Sequence, residues 1–86
     1  MNVYKFSIPD KNKNIFRCDV YDGFNNFKYH REVHVYDKNA TEELNTLVIA
    51  KKMGITLGID EQDLYVPVRM AVLIGESVWS NTKYSE

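Results

Sequence analysis

The spacing of apolar residues changes partway along this chain, and that change constrains the fold more than any other feature of the sequence. Apolar and polar residues first alternate in three short stretches, "VYKFSI" (3–8), "IFRCDVY" (15–21) and "FKYHREVHVY" (27–36). A period of two is typical of strands that bury one face. The linking segments "PDKNKN" (9–14) and "DGFNN" (22–26) are rich in residues that favour turns. We therefore predict a three-stranded antiparallel meander.

The alternation also predicts which side chains of these strands face the core. They are Tyr4, Phe6, Ile8, Phe16, Cys18, Val20, Phe27, Tyr29, Val33 and Val35. The intervening positions, which are mostly polar, then face solvent.

The segment "NATEELNTLVIAKKMG" (39–54) has the period of an amphipathic helix. Asn39 is the expected N-cap, with Glu42 three residues later as in a capping box, and Gly54 fits the position that follows a helix C-terminus. Lysines close to that end suit the negative pole of the helix dipole. The predicted stripe is Leu44, Leu47, Val48 and Lys51, and Ile49, Ala50 and Met53 widen its apolar side.

The last third of the sequence allows two interpretations. Pro67 suits the first turn of a helix, so we predict a second helix from Pro67 to Ser80, preceded by the turn-favouring "DEQD" (60–63). Apolar residues also alternate from Val66 to Ile74, so a fourth strand is the alternative. The predicted stripe of the helix is Val68, Ala71, Val72, Gly75, Val78 and Trp79.

These elements predict an α+β fold, namely a three-stranded antiparallel β-meander followed by two helices packed on one face, the second of which is alternatively a strand. The 86 residues suffice for one domain. Apolar residues make up 44% and charged residues 27% of the chain, as in an ordinary globular protein.

Charge and composition narrow the class of protein. A net charge of -1 is not that of a chain that coats nucleic acid. The stretch "MNVYKFSIPD" (1–10) lacks the apolar core of a secretion signal, and a lone cysteine cannot form an internal disulfide. The longest apolar run, "MAVLIG" (70–75), is far shorter than the about 20 residues of a membrane helix. We therefore expect a soluble, cytoplasmic protein without a membrane segment.

Two histidines and a glutamate lie within five positions in "HREVH" (30–34). On a strand, His30, Glu32 and His34 project from one face at intervals of about 6.6 Å. Two of them could share a metal ion, with Asp19 of the neighbouring strand as a further ligand, but a flat strand rarely brings three ligands together. We interpret the segment as the solvent face of the meander and predict no metal site and no cofactor.

The same face provides an alternative function. Bases of single-stranded RNA or DNA stack on aromatic rings of such sheets while cations contact the phosphates. Asp19 and Glu32 would weaken the positive field of this face. The residues of this alternative nucleic-acid surface are Lys5, Arg17, Tyr21, Lys28, His30, His34 and Tyr36.

Other chemistry is poorly supported. Cys18 alternates onto the core side and is expected to act as a small buried apolar residue rather than a nucleophile. The segment "LVIAKKMGIT" (47–56) is compatible with the first helix of a helix-turn-helix, but the following "LGIDEQDLY" (57–65) contains Gly58 and three acids that would repel phosphate. No catalytic residues are predicted, and we expect a protein that is not an enzyme.

The second predicted helix carries more apolar residues than one core can cover. Met70, Leu73 and Ile74 lie off its predicted stripe, and an element that is apolar all round must be covered on several sides. Exposed patches of this kind mark protein-binding surfaces, and Trp79 and Tyr84 could supply aromatic anchors. The alternative is that the segment is fully buried.

We therefore predict a small non-enzymatic protein-binding module that modulates or inhibits a larger protein, with a homo-oligomer as a further alternative. The predicted contact residues are Met70, Leu73, Ile74 and Trp79, with Asp60, Glu61 and Asp63 steering the partner. Residue types with AT-rich codons (Phe, Tyr, Met, Ile, Asn and Lys) number 35, against 12 for Gly, Ala, Arg and Pro. This bias is associated with the genes of AT-rich bacteria or phages, so a phage or bacterial accessory protein is expected, for example a host-modulating protein of a phage or mobile element.

Overall fold

The computed structural model describes residues 1–10 and 14–81 of the chain, and within them it confirms the α+β class. The three-stranded meander is present as predicted, and two helices pack on one face of the sheet. A fourth strand follows the helices. The elements are β1 (Asn2–Ser7), β2 (Phe16–Tyr21), β3 (Phe27–Val33), α1 (Glu42–Leu57), α2 (Glu61–Ile74) and β4 (Glu76–Asn81).

Over the described residues the sheet is antiparallel, with the strand order β3-β2-β1-β4. Helix α1 lies against β3, whereas α2 lies against β4 and β1. In β1 and β2 the residues alternate between buried and half-buried, as expected of strands with one covered face. The core between sheet and helices consists of Tyr4, Phe6, Phe16, Cys18, Val20, Val33, Ile49, Ala50, Met53, Ile59, Leu64, Val68 and Ala71.

An irregularity in the pairing of β2 with β3 overturns the prediction that Phe27 faces the core. Val20 pairs with Tyr29, but the next residue, Tyr21, pairs with Phe27, so Lys28 is an extra residue on β3. One extra residue reverses the facing of every side chain on one side of it. Phe27 therefore lies on the face away from the helices, with its ring edge-on to Tyr21 at 5.8 Å.

The β2–β3 hairpin is organised by Asp22. One carboxylate oxygen of Asp22 accepts hydrogen bonds from the backbone N–H groups of Phe24 (2.8 Å) and Asn26 (2.9 Å). The bond from Asn26 is the main cause that lowers the pKa of Asp22. Asn25 has a positive φ of 63°, which is the conformation that Asn tolerates in tight reversals.

Both predicted ends of the first helix are wrong. The N-cap is Thr41 rather than Asn39, because the Thr41 hydroxyl accepts a hydrogen bond from the backbone N–H of Leu44 at 3.2 Å. The helix continues through Gly54 to Leu57 and ends at Gly58, whose φ of 69° is the left-handed conformation of a C-terminal cap.

The apolar stripe predicted for this helix is also on the wrong side. Leu44 and Leu47 are exposed, whereas Ile49, Ala50 and Met53 contribute to the core as expected. Besides Gly54, two polar residues of α1 are buried, and both make hydrogen bonds. These are Asn45, which donates to the Asp37 carbonyl (2.7 Å), and Thr46, which donates to the Glu42 carbonyl (2.8 Å).

The second helix lies about one and a half turns earlier than predicted, and the chain then forms a strand. Pro67 is inside α2 and buried, and the apolar run from Val66 to Ile74 is helical rather than a strand. Gly75, which was predicted inside the helix, ends it with a positive φ of 81°. Residues 76–80, predicted as the end of the helix, belong to β4 (Glu76–Asn81), which pairs with β1.

Candidate protein-docking surface

The solvent side of α2 carries a row of exposed apolar residues. Val66, Met70 and Leu73 follow each other at intervals of four and three, which is the spacing of one helix face, and Ile74 adjoins them. Their exposed fractions are 64%, 45%, 56% and 66% for Val66, Met70, Leu73 and Ile74. We call these four residues the α2 stripe.

The stripe is exposed because α2 is apolar on two sides. The opposite side of the helix buries Leu64, Pro67, Val68 and Ala71 against the sheet and α1. No element of the described chain remains to cover the solvent side. Because large exposed apolar patches are rare on monomeric proteins, a row of this length calls for a functional explanation.

Trp79, predicted as an aromatic anchor of this surface, lies on a different face. In β4 it pairs with Tyr4, and the two rings are 5.4 Å apart at a tilt of 35°. Trp79 is half-buried and packs against the core beneath α2. Tyr84, the second predicted anchor, lies outside the described residues.

The three acidic residues predicted to steer a partner lie at the start of α2. Asp60 is the N-cap residue, and Glu61 and Asp63 are in the first turn, where negative charge complements the helix dipole. The stripe begins at Val66, within about a turn and a half of them. Acids and stripe therefore belong to one helix, with the charge at one end.

Helix α1 also has exposed apolar residues, and none of them was predicted to lie on a surface. On α1 they are Leu44, Leu47 and Ile55. Leu47 also lines an open groove of about 410 Å³ between the helices, together with Glu61, Gln62 and Tyr65. The low amphipathicity of α1, with leucines on both sides of the helix, is the sequence signal that could have revealed them.

The outer edge of β4 is open. Among residues 1–10 and 14–81, no strand pairs with this edge, since the sheet order places β4 last and only β1 beside it. Val78, near the middle of β4, is 60% exposed. Backbone N–H and C=O groups along such an edge are available for pairing with another strand.

The alternative nucleic-acid surface is brought together only in part. Lys5, Arg17, Tyr21 and His30 do share the sheet face away from the helices, as the strand pairing requires. His34 and Tyr36 lie beyond the end of β3. The Lys28 ammonium instead donates a 3.2 Å hydrogen bond to the side chain of Asn2, which belongs to the buried series of β1.

The charges on this sheet face are largely compensated. The Arg17 guanidinium is 2.9 Å from the Asp19 carboxylate and 3.6 Å from that of Glu32. The Lys5 ammonium lies over the ring of Tyr21, 5.8 Å from its centroid. Phosphate would have to compete with carboxylates for Arg17, which weakens the electrostatic basis of nucleic-acid binding here.

The histidines do not form a metal centre with their neighbours. His30 lies opposite Asp19 in the sheet, and His34 Nε2 is 4.0 Å from a carboxylate oxygen of Glu32. Across the part of the chain that the structure describes, no group of three or more His, Cys, Asp or Glu side chains could hold a metal ion.

Cys18 is fully buried beside Phe6, with which it pairs across β1 and β2. Burial and, second, the Asp19 carboxylate raise the pKa of this thiol well above its usual range. A thiol held protonated is a poor nucleophile.

No protein-family model, no curated protein sequence and no solved structure matches this chain. Neither described helix is both long and apolar enough to cross a bilayer. The geometry of the chain itself is therefore the basis for a functional proposal.

Proposed function

We propose that this chain is a small, non-enzymatic protein-binding module that modulates or inhibits a larger protein by occupying its surface. The observation that carries the proposal is the exposed α2 stripe. With roughly 100 Å² exposed at each of its four residues, the stripe is comparable to the largest apolar patches of ordinary monomers, which are often functional.

The charges around the stripe support a directional contact. Glu61 and Asp63 precede it on the same helix, and Arg69 lies between Val66 and Met70 in sequence. An apolar centre bordered by charge is the usual arrangement of a protein interface, in which the charges mainly raise the association rate. The AT-rich residue bias supports a phage or mobile-element accessory protein acting in the cytoplasm of its host.

The test is capture of a partner from a lysate of the source cells by the immobilised chain. We expect a specific protein to be retained by the wild type and lost with Leu73→Glu, because a carboxylate at the centre of the stripe cannot be desolvated cheaply. Ile55→Glu is the matched control, since it makes the same change at an exposed apolar site on α1. Circular dichroism must show both variants folded.

Two outcomes would contradict the proposal. One is equal capture of the same protein by the wild type and the Leu73→Glu variant. The other is the absence of any protein that is enriched on both the wild type and the Ile55→Glu control relative to the Leu73→Glu variant.

Single-stranded nucleic-acid binding is the second candidate function, and exposed rings at one end of the sheet support it. Phe24 in the hairpin and Phe27 on β3 are exposed, and Phe27 contacts Tyr21 near Lys5. Fluorescence anisotropy with a labelled oligonucleotide tests it. Binding that weakens steeply with salt and is lost with Phe27→Ala would favour this function over the first.

A further inference from the structure

The open edge of β4 and part of the α2 stripe lie on the same side of the molecule. Tyr65 marks the flank of α2 that faces α1, since its hydroxyl is 3.4 Å from the Glu43 carboxylate. At about 100° per residue, Met70 and Ile74 lie on the opposite flank. Because α1 lies against β3 and α2 against β4 at the other end of the sheet, that flank borders the free edge of β4.

We propose that a second copy of this chain occupies this side: β4 pairs antiparallel with β4 of the second copy about a twofold axis, and the flanks of the two α2 helices that carry Met70 and Ile74 contact each other. The sheet becomes continuous across the axis, with four helices on one face. The proposal deepens the proposed function, since it rests on the α2 stripe being a protein-binding surface and names one occupant of it.

The two edges of the sheet differ in how they are protected against pairing. The edge strand β3, "FKYHREV", carries Lys28, Arg31 and Glu32 and the irregular pairing at Lys28. Charged residues and bulges are the usual means by which proteins prevent edge-to-edge association. The sequence of β4, "ESVWSN", has no lysine or proline, and β4 pairs with β1 over all six residues without a shift. Of the two edges of the described sheet, β4, with Glu76 as its single charged residue and no shift in its pairing, is the less protected against a further strand.

The sequence of β4 suits pairing with itself. A twofold axis perpendicular to the sheet keeps each side chain on its own face of the sheet. Two residues that lie opposite each other across the axis must therefore project from the same face of β4. Centring the axis on Val78 places Val78 opposite Val78, and Glu76 opposite Ser80. The charge of Glu76 therefore does not meet its own copy, and the exposed Val78 side chains cover each other in a β-branched pair.

The exposed apolar area on this side suits a weak dimer. Met70, Ile74 and Val78 together expose roughly 300 Å² per copy, so a pair that covered them would bury about 600 Å² of side-chain surface, below the about 1,000 Å² of a stable interface. Backbone hydrogen bonds along the paired β4 edges add to this area. We expect a reversible dimer rather than an obligate one.

Sedimentation equilibrium of the full chain over a range of concentrations tests the proposal. The wild type should approach twice the mass of one chain as its concentration rises. Val78→Lys, which places a charge on the open face at the axis, and Ile74→Glu, which places one on the flank of α2 beside β4, should each shift the equilibrium to the monomer by at least tenfold in the dissociation constant. Ile55→Glu, a control on α1, should leave it unchanged.

Hydrogen exchange provides a readout that does not depend on folding of the variants. Outward-facing amides of β4 should exchange more slowly as the concentration of the wild type increases, while those of β2 should not change. A wild type that stays monomeric at millimolar concentration overturns the proposal. A dimer that is unaffected by both Val78→Lys and Ile74→Glu also overturns it.

The two proposals can fail separately. If the wild type is monomeric but Leu73→Glu abolishes capture of a larger protein, the dimer is wrong and the proposed function stands. If the dimer forms as described and no larger protein is captured, the dimer stands and the modulating function is wrong.

Discussion

Gly54 and Gly58 differ in what an added methyl group would meet. A Cβ at Gly54 would lie 2.5 Å from the backbone carbonyl oxygen of Ile59, whereas a Cβ at Gly58 has no atom within 4 Å. We expect Gly54→Ala to lower the free energy of unfolding by at least about 2 kcal/mol, because the α1–α2 turn must move. Gly58→Ala should cost only about 1 kcal/mol, from its positive φ.

Urea unfolding followed by circular dichroism measures both values. Gly54→Ala with the stability of the wild type would contradict the close approach of Ile59. Equal losses in the two variants would mean that conformation, and not contact, decides both.

The sequence could not assign these glycines correctly. Both follow an apolar helical segment at a position suited to a C-terminal cap, so local rules favour the first one met along the chain. The distinction depends on the backbone turn after α1, in which the Ile59 N–H donates a 2.9 Å hydrogen bond to the Gly54 carbonyl and the Ile59 carbonyl comes close to Gly54. This turn forms at Gly58, whose φ is positive, and it sets the end of the helix.

The buried thiol of Cys18 makes stability depend on alkaline pH. In the folded chain, burial and Asp19 raise the pKa of the thiol far above its unfolded value of about 8.5. The folded state therefore keeps a proton that the unfolded state loses. The stabilisation is complete below about pH 8.5 and is lost as the pH rises from there towards the folded pKa, by about 1.4 kcal/mol per pH unit.

Urea unfolding at pH 7, 8.5 and 9.5 tests this expectation. The Cys18→Ala variant is the control, and its free energy of unfolding should fall less between pH 8.5 and 9.5. A wild type with the same slope as Cys18→Ala would show that the thiol is ionised equally in both states.

At the scale of elements, the start of α1 depends on one hydroxyl. Thr41→Ala removes the acceptor for the Leu44 N–H, and we expect a loss of about 1 kcal/mol in the free energy of unfolding. Asn39→Ala is the matched control at the position that the sequence predicted as the cap, and it should change stability by less than about 0.5 kcal/mol. Thermal or urea unfolding measures both losses. A larger loss of stability in Asn39→Ala than in Thr41→Ala would mean that Asn39 is the N-cap.

The meander was predictable, but the division of the C-terminal region into α2 and β4 was not. Strands β1 and β2 follow a strict alternation, and short turns leave few other arrangements. In the C-terminal region, the preference of proline for the first turn of a helix led to a predicted start at Pro67. The structure keeps Pro67 inside α2 because its buried contacts with the core outweigh a cost of about 3 kcal/mol.

The sequence predicts that an exposed apolar surface exists, but it does not predict all the residues that form it. An excess of apolar residues in a short chain can be counted from the sequence, and Met70, Leu73 and Ile74 are exposed. Trp79 could not be placed, because its facing depends on the helix ending at Gly75 and on the pairing of β4 with β1. The exposure of Leu44 and Leu47 likewise depends on the hydrogen bonds that bury Asn45 and Thr46.

At the scale of the whole molecule, the exposed apolar residues are not the result of loose packing. The radius of gyration of 12.0 Å equals the value of about 12 Å expected for a compact chain of this length. The accessible surface of 5353 Å² is likewise close to the about 5,300 Å² expected for a folded protein of this mass. The molecule is therefore about as compact as its size predicts, and the α2 stripe is exposed on a well-packed fold.

If a second copy covers part of the α2 stripe, the folded state should become more stable as the concentration of the chain rises. In the dimer regime each tenfold increase in concentration adds about 0.7 kcal/mol per chain, and for a domain of this size that corresponds to about 3–5 °C in Tm. Differential scanning calorimetry at several concentrations measures the shift. The Val78→Lys variant should show a Tm that does not depend on concentration, because it unfolds as a monomer. A constant Tm for the wild type would mean that a second copy does not stabilise the folded state. The α2 stripe would then be available only to a different protein.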